Sequence, residues 1–171
     1  MIQARPAEMR DLNDIITLIA HARAAIARLG IDQWQDGYPE PEVLCADIES
    51  GIGYVFEVDG KIAGYMVPLA DPEPIYNQLQ HEWLQNDAPY LTVHRMAIDD
   101  GFRGTGLSME MFAFAEGLAR KKDLVSVRAD THTGNLAMRG LLAKCGYSYC
   151  GDVRYPVTAG DPIRVAYEKI L

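Results

Sequence analysis

The stretch Tyr90–Ser108, YLTVHRMAIDDGFRGTGLS, constrains the fold more than any other part of the chain. It reads as a strand ending at Met96-Ala97-Ile98, a short turn, and a glycine-bearing loop that opens a helix. A helix starting at Gly106 or Leu107 leaves its first amides without intrahelical partners. Those amides and the helix dipole favour an anion, most naturally a phosphate. Gly104 and Gly106 let the backbone approach such a ligand closely. Arg103-Gly104-Thr105-Gly106-Leu107-Ser108 is therefore a candidate diphosphate cradle made mainly of backbone.

Two common phosphate loops fail on the residues. A nucleotide P-loop ends Gly-Lys-Ser/Thr, whereas this loop ends Gly106-Leu107-Ser108. The dinucleotide fingerprint needs a third glycine where Met109 stands.

The remaining elements alternate. Ile2–Arg5 reads as a strand ended by Pro6, and Met9–Leu29 as a helix with Ile15, Leu18, Ile19, Ala22, Ile26 and Leu29 on one face. Pro41 suits the first position of a second helix reaching about Ser50. Gly53–Val58 and Lys61–Pro68 flank Asp59-Gly60, a strong hairpin signal. Residues 69–89 read as an insertion, with Ile75, Leu79 and Trp83 in a short helix. After the cradle come a helix to about Lys121 (buried face Leu107, Met111, Phe114, Ala115, Leu118) and a strand Leu124–Ala129. A helix Gly134–Lys144 with Met138, Leu141 and Leu142 inward follows, then strands Gly146–Arg154 and Pro162–Ile170. The order implies an α/β (α+β) domain over residues 1–171, a mixed sheet with helices on both faces.

The loop's Arg103-Gly104-x-Gly106 spacing resembles the acyl-CoA signature of the GCN5-related N-acetyltransferase (GNAT) superfamily; Ser108 departs from it at the last position. A second stretch, Asp130–Tyr147, is similar to that family's other CoA-side motif through Asn135, Met138, Gly146 and Tyr147. Leu142 occupies a position where the family often has tyrosine. The resemblance runs in element order over essentially the whole chain. It implies a mostly antiparallel sheet of about seven strands, splayed between strands four and five, with the pantetheine arm of CoA running between them.

It further implies an acetyl-CoA-dependent N-acetyltransferase that moves the acyl group directly to a primary amine of a small molecule or peptide. Met96, Ala97 and Ile98 would pair with the pantetheine amides, Arg103, Gly104, Thr105, Gly106, Leu107 and Ser108 would cradle the pyrophosphate, and Asn135 and Met138 would lie near the CoA arm. Asn135 reads equally as a helix N-cap. A homodimer is common among such proteins.

Acyl transfer to an amine needs a proton acceptor. His94 is the first candidate, sharing a strand face with Thr92 and Met96 if the strand keeps period two. His132 is the second. Trp34 and Tyr38, in a loop rich in aromatics, are candidate walls of the acceptor pocket. Histidines and carboxylates show no metal-ligand spacing, so no metal is expected. A net charge of −8 argues against nucleic acid. No apolar run reaches the ~18 residues of a membrane span, and Cys45, Cys145 and Cys150 read as reduced thiols of a cytoplasmic protein. Two alternatives stand beside the transferase: a non-catalytic acyl-CoA sensor of the same fold, and an acyltransferase acting on hydroxyls or protein N-termini.

Overall fold

The computed structural model describes residues 1–156 and 160–171. Seven strands follow the order β1-β2-β3-β4-β5-β7-β6 across one sheet. They are β1 Ile2–Pro6, β2 Tyr54–Val58, β3 Lys61–Leu69, β4 Tyr90–Ile98, β5 Ser126–His132, β6 Ser148–Arg154 and β7 Ile163–Ile170. Helices α1 Leu12–Arg28, α2 Pro41–Glu49, α3 Leu107–Lys121 and α4 Leu136–Lys144 alternate with them in the expected order. The pairs β1/β2, β2/β3, β5/β7 and β6/β7 are antiparallel. β4 and β5 pair in parallel over three residues only, Tyr90↔Ser126 to Thr92↔Arg128, although β4 is nine residues long. This is the mixed, mostly antiparallel α/β sheet that the sequence implies.

The chain divides into two compact units, residues 1–69 with 94–114, and residues 70–93 with 115–171. In the first, Asp59 (φ 51°) and Gly60 (φ 78°) form the β2–β3 turn, both with the positive φ that a type I′ hairpin requires. Strand alternation then sorts the side chains. Val55, Tyr65 and Val67 face Ile15, Leu18, Ile19 and Ala22 of α1 and Leu44 and Ile48 of α2. Phe56 points the other way, its ring 5.3 Å from that of Phe114 on α3. Leu29, expected on the buried face of α1, is 54% exposed. It lies beyond the helix, which ends at Arg28. Met9–Asp11 is a separate 3-10 turn, because the Asp11 carboxylate accepts the Glu8 amide (2.8 Å) and the Arg5 guanidinium (2.7 and 2.9 Å).

In the second unit, α3 closes on Asp123 in a left-handed conformation (φ 56°), with the Leu124 amide bonded back to Ala119. That turn absorbs Leu124, so β5 starts at Ser126 and extends to His132 rather than covering Leu124–Ala129. The buried face of α3 includes Phe112 and Ala119, and Leu118 is only partly buried. α4 likewise starts two residues later than expected, and of Met138, Leu141 and Leu142, expected to face inward, only Leu142 is fully buried.

One face of the β5–β7 pair is polar. Segment 70–89, which carries a 3-10 helix at Pro74–Leu79, is pinned to it through Tyr76, Leu79 and Trp83, packed with Val153 and Ala166. The Arg128 guanidinium lies between the rings of Trp83 (4.0 Å) and Tyr90 (3.8 Å). It donates to Glu168 Oε1 (2.9 Å) and to the Gln85 carbonyl (2.7 Å). Glu168, fully buried, also accepts the Ser126 hydroxyl (2.6 Å) and the Leu84 amide (2.7 Å). The opposite face carries Lys169, bonded to both Glu116 oxygens of α3 (2.8 Å each), and Tyr167, whose hydroxyl accepts from Arg139 of α4 (3.2 Å).

Removing one member of a buried ion pair leaves the other desolvated and uncompensated, at a cost of about 3–5 kcal/mol. Glu168→Ala should lower the unfolding free energy by that amount in a urea titration. A loss below about 1 kcal/mol would mean that solvent reaches Arg128 in the folded state.

Candidate functional site

The cradle loop has the geometry its sequence suggests. Asp99 accepts the Gly101 amide (2.9 Å) and starts a 3-10 turn at Asp100–Phe102. Gly104 (φ 74°) and Gly106 (φ 91°) then bend the backbone into α3. The Arg103 and Thr105 amides close turns onto Asp100 and Phe102. Among the described residues, the amides of Gly104, Gly106, Leu107 and Ser108 have no hydrogen-bond partner. Four donors thus stand together at the positive end of a 15-residue helix, the arrangement that takes an anion. A Cβ built on Gly104 or Gly106 meets no atom within 4 Å, so space lies open beside the backbone. Arg103 itself is turned to Asp100 (Nε–Oδ1 2.7 Å), and both side chains are about half exposed. The loop's donors are its amides.

β4 departs from the alternation expected of it. Arg95 has φ 50°, a left-handed conformation that non-glycine residues rarely adopt within a strand. The residues on either side of it, His94 and Met96, therefore do not follow the simple period-two rule. The Arg95 side chain is held by three bonds: Nε and Nη2 to the Asp47 carboxylate (2.7 Å each) and Nη1 to the Tyr38 hydroxyl (2.6 Å). Asp47, on α2 and buried, also accepts the Tyr65 hydroxyl (3.1 Å). Burial and the neighbouring Asp47 charge hold the Tyr65 phenol protonated. Sequence reasoning missed Arg95, Asp47 and Tyr65. Their partners lie 48 and 18 positions apart, and nothing in the strand pattern marks Arg95 as left-handed.

Of the other predicted residues, Ala97 is buried in the core with α1 and α2, while Met96 and Ile98 are half-buried. Trp34 (φ 65°) packs against the same core, and Tyr38 precedes a cis peptide to Pro39. Arg23 braces this loop by donating to the carbonyls of Gly37 (2.7 Å) and Pro39 (3.2 Å). On α4, Asn135 is the N-cap, accepting the Met138 amide (3.1 Å). His132 Nδ1 accepts the Gly134 amide (2.9 Å) and Nε2 lies 3.2 Å from Asp161, which fixes its tautomer. Leu142, at the position where the resemblance implies a tyrosine, has no exposed surface. A pocket of about 400 Å³ opens on the first unit by Asp14, His21, Lys61 and Asp99, and none of the predicted site residues line it.

The titrating groups bound the chemistry. Burial, reinforced by the Arg95 charge, pushes the His94 imidazole down to about 4, so it is neutral at pH 7. Burial raises the thiols of Cys45, Cys145 and Cys150, keeping all three protonated and poorly nucleophilic. Among the described residues no cluster of three metal-binding side chains occurs, and no helix is long and apolar enough to cross a membrane.

A histidine with a depressed native pKa takes up its proton more readily in the unfolded chain. Its contribution to stability is complete above the unfolded value near 6.5 and is lost as pH falls toward 4. The loss for His94 is about 3 kcal/mol. Urea midpoints between pH 7 and pH 4 should therefore fall less steeply in His94→Gln than in the parent chain; parallel slopes would place His94 in contact with water.

The model of the acetyltransferase (GNAT) family matches residues 19–147. An uncharacterized N-acetyltransferase, YesJ of Bacillus subtilis strain 168, is 24% identical over 150 residues, covering 86% of this chain and 82% of its own. A GNAT-family acetyltransferase of Streptococcus agalactiae 2603 has a solved structure that superposes with a TM-score of 0.86 at 39% identity, covering 99% of this chain and 95% of the other. A Bacillus subtilis acetyltransferase solved in complex with CoA shares the fold at 13% identity, with a TM-score of 0.69 over 100% and 99% of the two chains. With three quarters of its length matched by the family model, the chain belongs to the acetyltransferase (GNAT) family.

Proposed function

We propose that the protein is an acetyl-CoA-dependent N-acetyltransferase that passes the acyl group directly to a primary amine. The observation that carries this reading is the set of four unpartnered amides at Gly104, Gly106, Leu107 and Ser108. The pyrophosphate of acetyl-CoA is an anion of the right kind for them, and the family uses this donor. Arg103 and Thr105 frame the same loop. The pantetheine arm adds to the backbone of Met96, Ala97 and Ile98 as an extra strand.

The chemistry needs no enzyme nucleophile. The amine nitrogen attacks the thioester carbonyl, the tetrahedral oxyanion forms, the C–S bond breaks, and CoA leaves as its thiolate. The amine gives up a proton to His94 or to water bonded to it. At a value near 4, His94 is neutral and therefore unoccupied by a proton, but it is a weak base, so it serves as a relay more than as a sink. The protonated state of all three cysteines supports direct transfer over a covalent acyl-enzyme. Trp34 and Tyr38 wall the acceptor side, Tyr38 held there by Arg95. The acceptor is a small molecule or a peptide, and the compartment is the cytoplasm.

Leu142 favours one other reading, a sensor that binds acyl-CoA without transferring it, since the phenol that would protonate the thiolate is missing. Calorimetric titration with acetyl-CoA, with free thiol monitored as amines are added, separates the two. Micromolar binding with thiol release supports the transferase; binding without release for any amine supports the sensor. Gly106→Val should weaken acetyl-CoA at least tenfold, because it places a side chain at φ 91° and fills the open cradle. Arg103→Glu should weaken it further by reversing charge at the loop. Unchanged affinity in both variants would remove the cradle assignment.

A further inference from the structure

Arg95 interrupts a strand that has no local reason to break. In a regular β4 its side chain would alternate with those of His94 and Met96. Its φ of 50° ends that alternation, and His94, Arg95 and Met96 are all half-buried between the buried residues Val93 and Ala97. A left-handed residue other than glycine persists only where its surroundings over-determine it.

Here they act through one side chain. The Asp47 carboxylate accepts Nε and Nη2 as a fork (2.7 Å each), which fixes the plane of the guanidinium as well as its position. Asp47 is fixed in its turn, being 4% exposed and accepting the Tyr65 hydroxyl (3.1 Å). Gly53 leaves room for that hydroxyl, since a Cβ there would stand 2.7 Å from it. Turning residue 95 to an extended φ would swing its Cα–Cβ bond away from Asp47 and break the fork. The ion pair therefore holds the backbone of β4 as well as the side chain.

The third donor, Nη1, is not needed for that purpose. It reaches the Tyr38 hydroxyl (2.6 Å), 57 positions away in loop 31–39. Arg23 of α1 holds the same loop through the carbonyls of Gly37 and Pro39, and Trp34 packs on the core. Arg95 ties it to β4 instead. One guanidinium thus joins α2, this loop and the strand segment that carries His94 and Met96, all within the first unit. Apolar residues of similar volume would stabilise such a core at least as well as a buried ion pair does, and without a strained backbone.

We propose that Arg95 is a positioning residue for acetyl transfer: clamped by Asp47, it sets the backbone that carries His94 and Met96, and through Tyr38 it registers loop 31–39 against that backbone. The positioning role rests on the acetyl-transfer reading; the tie between loop and strand does not, and the two are tested separately. Tyr38→Phe removes the tie and keeps the ring. Amide hydrogen exchange across residues 31–40, followed by mass spectrometry without any ligand, speeds up about tenfold in that variant. Unchanged exchange overturns the tie.

The backbone role separates glycine from alanine at position 95, in chains that also carry Asp47→Asn so that no buried charge is left unpaired. Glycine takes a φ near 50° freely, whereas alanine without the fork relaxes to an extended strand. The Kd of acetyl-CoA, measured calorimetrically, stays within about twofold of the Asp47→Asn chain in Arg95→Gly and weakens about tenfold in Arg95→Ala. A purely structural role would lower the folded fraction, which thermal melts report, and leave the Kd of the folded molecules alone. Equal Kd in the folded glycine and alanine chains overturns the positioning role. Where those chains do not fold, the exchange of Tyr38→Phe decides. A parent chain that binds no acetyl-CoA strikes the transferase reading, and the exchange result still decides the tie.

Discussion

Desolvation of Glu168 is the constraint on which the second unit depends. A carboxylate with no exposed surface must fill its lone pairs with donors or lose several kcal/mol. It does so with Arg128 and Ser126 from the adjacent strand and with the Leu84 amide from segment 70–89. That last bond ties a long connection, which would otherwise be free to move, to the face of the sheet. Trp83 and Tyr90 then close over Arg128, and Tyr76 is carried to Asp130. The polar face of β5 is thus built outward from one buried charge.

The first unit solves a different problem with the same means. A left-handed arginine in a strand is strained by about 1–3 kcal/mol and persists only when its surroundings fix it. Two bonds to Asp47 and one to Tyr38 do so, with Asp47 anchored in turn by α2 and Tyr65. The irregularity in β4 is therefore set from the first helical layer, and it sits one residue from His94 and Met96.

Local features were legible in the sequence because local chemistry dictates them. Asp59-Gly60 specified its turn, and the glycines of the loop specified both the bend and the unpartnered amides. Asn135 announced a cap and is one. β5 lies two residues beyond the start that the apolar pattern suggests, because Asp123, not a glycine, takes the left-handed position that ends α3. The Arg95 and Asp130 networks were not legible at all. Tyr76 and Tyr155 reach Asp130 from 54 and 25 positions away, and periodicity is silent on contacts of that range. Polar residues on β5 read as ordinary strand until the register shows that Ser126, Arg128, Asp130 and His132 share one face.

The burial of Leu142 bears on which proton transfer the enzyme must manage. A departing thiol has a pKa near 8.5, so its thiolate is tolerable at neutral pH without an acid beside it. An alkylamine has a pKa near 10.4 and arrives as a cation that cannot attack until it loses a proton. The harder step is therefore on the acceptor side, and residues there are worth more to the rate than a phenol at the thiolate. Leucine at position 142 is then compatible with transfer, because the step it would have assisted is the easier of the two.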